Sequence, residues 1–176
     1  MSDVDPASPP TLHGERVTLR PLRAEDRDRL RDILAEPSVA RWWGPVTADA
    51  AAADLYDQSD QVTLVIEWEG EVIGSIQFAE EDDPDYRHAG IDVFLAADDQ
   101  GQGLGPDALR TLARYLFGER GHHRLTIDPA VANTRAIAAY RRVGFRPVGV
   151  MRLYERGQDG AWHDGLLMDM LAGELA

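Results

Sequence analysis

The run Gln100-Gly101-Gln102-Gly103-Leu104-Gly105 is the segment of this chain whose residue types and spacing most suggest chemistry. Three alternating glycines lie between a strand expected over Ile91–Leu95 and a helix. Without side chains there, backbone can approach a ligand closely. Amides at a helix start carry partial positive charge and suit a pyrophosphate. The spacing is one residue short of the dinucleotide pattern G-x-G-x-x-G, and no Gly-Lys-Ser/Thr follows as in a Walker loop. On spacing alone the loop is either an anion cradle or a tight turn. Around it stand groups able to move protons. Asp92 lies just before the loop, and Asp128 and Tyr140 follow it. A carboxylate accepts a proton, and a phenol still carries one at neutral pH. Each also has a plainer reading: Asp92 ends a strand or caps a turn, Asp128 starts a turn before Pro129, and Tyr140 decorates an amphipathic helix.

The elements that must position these residues follow from periodicity. Val17–Arg20 reads as a strand ending at Pro21. Leu30, Ile33 and Leu34 recur at helical spacing within 24–34, and Glu36-Pro37 stops that helix. Ser38 to Trp43 forms a short segment closing on Gly44-Pro45. Thr47 is a good N-cap for the Ala-rich run to Tyr56. The period then becomes two: 62–66 and 72–78 are strands joined by a turn at Glu69-Gly70, and a third strand runs over 88–95. Leu109, Leu112, Ala113 and Leu116 share a face of the helix after the glycine loop. A strand over 124–127, a helix over 133–142 stopped by Gly144, and a hairpin of 145–153 with 165–170 complete the chain. The order β-α-α-β-β-β-α-β-α-β-β implies a mixed α/β sheet in one domain, residues 13–176, after a disordered lead-in over 1–12.

The 176 residues carry a net charge of −13 and no cysteine. That excludes disulfides, thiolate zinc sites and a cysteine nucleophile. It also disfavours nucleic acid as a partner and attracts cations. The five histidines form no ligand pattern, so no metal is expected. No apolar run approaches the ~20 residues of a membrane span. The acidic, Pro-rich start lacks the basic and apolar regions of a secretory signal, so a cytoplasmic protein is expected.

Gln100-x-x-Gly103-x-Gly105 resembles the Q/R-x-x-G-x-G/A signature of the GCN5-related N-acetyltransferases (GNAT). Asn133-Thr134-Arg135-Ala136-Ile137, with Tyr140 and Gly144-Phe145, resembles that family's second cofactor segment, and the element order agrees from about Glu15 to Leu171. The resemblance implies a central mixed sheet whose two parallel strands splay apart around acetyl-CoA. It implies cofactor contacts from Phe94, Leu95, Gln100, Gly101, Gln102, Gly103, Leu104, Gly105, Asn133, Ala136 and Tyr140. Asn133 has a second reading as a helix cap. Pro106 departs from an all-amide loop, because it has no N–H. Transfer is expected to be direct, since no nucleophile elbow is present.

Three further stretches resemble the aminoglycoside 6'-N-acetyltransferases: Val39-Ala40-Arg41-Trp42-Trp43-Gly44, the acids Glu80 to Asp85 with Gly90-Ile91-Asp92, and Thr126-Ile127-Asp128-Pro129. They imply an acceptor site of Trp42, Trp43, Glu80, Asp83, Asp92 and Asp128. In it Asp92 is the general base, and Tyr140 is the acid for the departing thiolate. Of the adjacent tryptophans, one is expected on the core and one on the acceptor, as in an extended segment. The acids from Glu80 to Asp85 read equally as a solvated hairpin loop, and Asp164 and Asp169 as surface or hairpin residues. The expected partner is a cationic small-molecule amine, with the protein a monomer or homodimer. Other acceptors remain open: a protein N-terminus, a siderophore hydroxylamine or a kasugamycin-like aminosugar. A non-catalytic acetyl-CoA sensor also remains open.

Overall fold

Among the described residues, eight strands build one sheet, and apolar residues alternate along its central members. The computed structural model describes residues 9–43, 46–57 and 59–176. The strands are β1 (Leu12–His13), β2 (Thr18–Pro21), β3 (Val62–Trp68), β4 (Glu71–Glu81), β5 (His88–Leu95), β6 (Arg124–Ile127), β7 (Arg146–Arg156) and β8 (Trp162–Leu171). Their order is β1-β2-β3-β4-β5-β6-β8-β7. Every neighbouring pair is antiparallel except β5 with β6.

Because side chains alternate across a strand, each face gets its own core. Leu64, Ile66, Ile76 and Phe78 pack with Leu109, Leu112 and Leu116 of α4 (Leu104–Gly118). Ile137 and Val143 of α5 (Thr134–Val143) join them. Val65 and Phe94 point the other way. They meet Leu30, Ile33 and Leu34 of α1 (Arg27–Ala35), Val39 of α2 (Pro37–Ala40) and Leu55 of α3 (Ala48–Leu55).

The site arises where β5 and β6 part. Only Ala89↔Leu125 and Gly90↔Thr126 are paired. Beyond them β5 runs on to Leu95 with no partner on that side among the described residues, while the chain after β6 turns at Pro129, which has no N–H for a ladder, and bridges Gly165 through Ala130. The expected splayed, mixed α/β sheet is therefore present.

Several expectations change in detail. The first helix does end before Pro37, but Pro37 then opens α2, at a position where its missing N–H is not needed. The second strand of the first hairpin continues past Phe78 to Glu81. Within the expected lead-in, Pro9 is buried and Leu12 pairs with Leu19. Met1 to Ser8, Gly44 and Pro45 lie outside the described residues. Among those described, no helix is long and apolar enough to cross a membrane.

One buried carboxylate ties the start of the fold to the glycine loop. Asp107, in the first turn of α4 and 4% exposed, accepts the backbone N–H groups of Glu15, Arg16 and Val17 at 3.1, 2.8 and 3.0 Å. Arg16 then donates to the carbonyl of Gln102 in the loop.

Candidate active site

A cavity of about 660 Å³ fills the opening between β5 and α5. Its walls include Trp42, Trp43, Phe94, Leu95, Gln100, Gly101, Gly103, Gly105, Asn133, Ala136 and Tyr140. The glycine loop holds two left-handed residues, Gly101 at φ 78° and Gly103 at φ 83°, a region that other residues enter at a cost. Gly103 is the N-cap of α4 and has no side chain to accept from the helix's first amides. The first intrahelical bond runs from Asp107 N–H to Gly103 O at 3.1 Å. The amides of Leu104 and Gly105 thus precede the helical ladder and suit an anion, and Pro106 beside them offers none. Gln100 braces the loop rather than facing the cavity freely: its amide donates to Leu95 O at 2.9 Å. Arg135 crosses the loop so closely that a Cβ on Gly101 would lie 2.6 Å from its guanidinium. Arg41, Arg110 and Arg142 also line the cavity. A concave site with a basic wall, helix-start amides and an apolar floor fits the phosphates and chain of acetyl-CoA. The unpaired edge of β5 adds further backbone groups for a bound chain to meet.

The acids stand at the apex of the splay. Asp92 and Asp128 each lie two residues past the last pair, Gly90↔Thr126, so both project on that pair's face across the gap. Asp92 is open to solvent yet deep within the protein. Burial, then the charge of Asp128, pushes its pKa up to about 6, and the amide of Gln77, its partner on β4, opposes the rise. Gln77 is itself linked to Thr63. Glu155 of β7 adds its charge, and its own pKa is raised by burial and by Asp128. Tyr140 lines the cavity and packs edge-on to Phe145 at 6.3 Å. Burial, then the charges of Asp92 and Asp128, holds its hydroxyl well above the usual phenol range. Asp92 and Asp128 do not line the cavity themselves, but their charges reach Tyr140 on its wall, so a carboxylate of raised basicity stands near a firmly neutral phenol, a pairing suited to taking one proton and giving another.

Other expected site residues divide between the cavity wall and places away from it. Glu80 is on the face opposite Gln77, three residues along β4. It is bound there by Arg120 and by His122, both at 2.6 Å, so it is neither a loop residue nor free to meet an acceptor. Asp83 sits in an exposed turn, accepting from Asp85 N–H at 3.0 Å, and does not line the cavity. Leu104 is fully buried in the core, and Gln102 turns away to donate to Asp98 O. Asn133 caps α5 by accepting from Ala136 N–H at 3.2 Å, while still edging the cavity. Trp42 and Trp43 follow α2 in a turn, not in an extended segment. Trp43 packs on Phe94 at 5.1 Å, and Trp42 carries the Arg41 guanidinium at 4.5 Å, yet both reach the cavity wall. Asp164 accepts from Leu153 N–H, and Asp169 pairs with Arg124. Arg110 and Arg142 of the cavity wall were not anticipated, nor were Arg135, Glu155 and Tyr154, whose hydroxyl donates to Asp128. Arg135 was within the recognised segment and its charge was the available signal. Glu155 and Tyr154 depend on a hairpin irregularity with no sequence signature.

Comparison with known proteins agrees with this geometry. A family model for the acetyltransferase (GNAT) domain matches residues 16–146. The chain is similar to the aminoglycoside N(6')-acetyltransferase type 1 of Klebsiella pneumoniae, with 32% identity over 161 residues, covering 80% of this chain and 79% of that enzyme. It is also similar to the spermidine N(1)-acetyltransferase of Escherichia coli strain K12, with 28% identity over 165 residues, 90% of this chain and 87% of that one. Among solved structures it resembles Mycobacterium smegmatis RimJ in complex with CoA-disulfide, at a TM-score of 0.85 and 27% identity, covering 98% of this chain and 92% of that chain.

Proposed function

The chain belongs to the GNAT acetyltransferase family, and on that footing we propose that it acetylates a primary amine of a polycationic small molecule, foremost the 6'-amine of an aminoglycoside. Acetyl-CoA is the donor and supplies an acyl group activated as a thioester. The observation that carries the choice of acceptor is the convergence of Asp92, Asp128 and Glu155 beside Tyr140. Three carboxylates at the apex of the splay favour an acceptor with several ammonium groups.

In this reading Asp128 and Glu155 hold the acceptor's charges. Asp92 receives the proton of the amine that reacts. With a pKa of about 6 it is mostly ionised at neutral pH, yet a stronger base than an ordinary aspartate. The amine so freed attacks directly. Tyr140, neutral at that pH, gives its proton to the departing sulfur. The loop amides and Arg135 hold the phosphates of the donor.

A polyamine acceptor is the second reading, favoured by the likeness to the spermidine enzyme over 90% of the chain. The same carboxylates serve both. Incubation with acetyl-CoA and kanamycin, followed by mass spectrometry and NMR of the product, tests the first reading. One added acetyl group on the 6'-nitrogen is expected. No acetylated aminoglycoside, with acetylspermidine formed in the parallel tube, would transfer the assignment to polyamines.

A further inference from the structure

β7 and β8 lose register between Met151 and Glu155. Within that irregularity Leu153 has φ 48°, a left-handed backbone that costs a non-glycine residue about 1–2 kcal/mol. Its N–H is held by the Asp164 carboxylate at 2.8 Å. The next residue, Tyr154, thereby turns its hydroxyl onto Asp128 Oδ2. Its ring lies against Gly165 of β8, where a Cβ would stand 2.7 Å from Tyr154 Cδ1. Three separate features therefore fix this side chain: a strained residue, a carboxylate clamp and an absent Cβ. They fix it on one of the two acids facing each other across the splay. Tyr154 as a whole remains 46% exposed.

We propose that Tyr154 positions Asp128 and determines specificity in the acceptor site: its hydroxyl occupies one carboxylate oxygen so that the other meets the acceptor's ammonium, and its exposed ring forms the adjoining wall. This rests on the reading of the protein as an amine acetyltransferase. A carboxylate tethered through one oxygen loses rotational freedom and presents the other in a fixed direction. An aromatic face beside it suits both the C–H surface of a sugar and an ammonium group. The bond to Asp128, then burial, pushes the Tyr154 phenol up to about 12, so the hydroxyl keeps the proton it donates.

Steady-state kinetics of Tyr154→Phe against wild type, with both substrates varied, tests the proposal. The acceptor KM should rise about three- to tenfold, as expected for one hydrogen bond to a charged group, with kcat and the acetyl-CoA KM within about twofold of wild type. Gly165→Ala, which displaces the ring, should raise the acceptor KM likewise and add nothing in a Tyr154→Ala background. An unchanged acceptor KM in Tyr154→Phe overturns the proposal while leaving the acetyltransferase reading intact. An acetyl-CoA KM that rises in parallel with the acceptor KM also overturns it, since that marks a general disturbance of the fold. Wild-type protein that acetylates no amine removes the proposal and the reading beneath it together.

Discussion

Asp92 gains its basicity from two things that the residue alone does not carry: depth in the protein and a second carboxylate across the splay. The acidic limb of kcat/KM against pH should therefore bend near pH 6, with activity lost as the pH falls below it and Asp92 takes up its proton. Asp92→Asn should remove that limb and lower kcat about a hundredfold; an unaltered profile would take Asp92 out of the base role. The same shift bears on stability, with the opposite benefit. A carboxyl whose folded pKa is raised costs the fold most above about pH 6, and the cost fades as the pH falls toward the unfolded value. Asp92→Asn should accordingly raise Tm at pH 8 and raise it less at pH 5, measured by thermal melts. Tyr140→Phe should lower kcat about ten- to a hundredfold with the acceptor KM little changed, if its proton goes to the departing sulfur. Asp92, Asp128 and Tyr140 could be singled out as candidates because each sits within a recognisable run at a fixed offset from an element end. Glu80 was misread because its face depends on how far the strand continues beyond Phe78. A strand that continues to Glu81 turns Glu80 toward Arg120 and His122.

Asp107 shows how one element end organises another. Its carboxylate does not cap its own helix but accepts from the backbone of Glu15, Arg16 and Val17, at the entry to β2. Asp107→Ala would leave those N–H groups without their acceptor, that of Val17 in a buried place. A loss of about 3 kcal/mol in denaturant unfolding is expected, with faster hydrogen exchange at Arg16 and Val17. Exchange and stability equal to wild type would show that the contact is dispensable. Most elements could be read from the sequence because hydrophobic period and caps agree. Thr47 accepts from Ala50 N–H, and Asn133 and Gly144 bound α5 as their types suggest. β1 could not be read: two residues paired to Leu19 and Thr18 give no period. The bulged register of β7 was hidden for a different reason. It is set by Asp164 and Gly165 on the partner strand, not by residues 151–155 themselves.

At the scale of the whole molecule the charge is arranged, not merely negative. Arginines line the cavity proposed for the phosphates, and carboxylates gather at the apex proposed for the amine, within a chain of net charge −13. Such an arrangement steers a polycation toward the acids. Raising NaCl from about 0.05 to 0.5 M should lower kcat/KM for a polycationic acceptor severalfold, and for a simple monoamine much less, because screening acts on the product of charges. Equal salt sensitivity would deny the acids a steering role. The composition disclosed the charge but not its division, which depends on which strand ends meet at the splay. The most direct measurement is the rate of CoA thiol release from acetyl-CoA with kanamycin, spermidine and an N-terminal peptide as acceptors. The arrangement of acids predicts release with kanamycin at the highest kcat/KM, with spermidine below it and the peptide near background. Release with the peptide alone would contradict it.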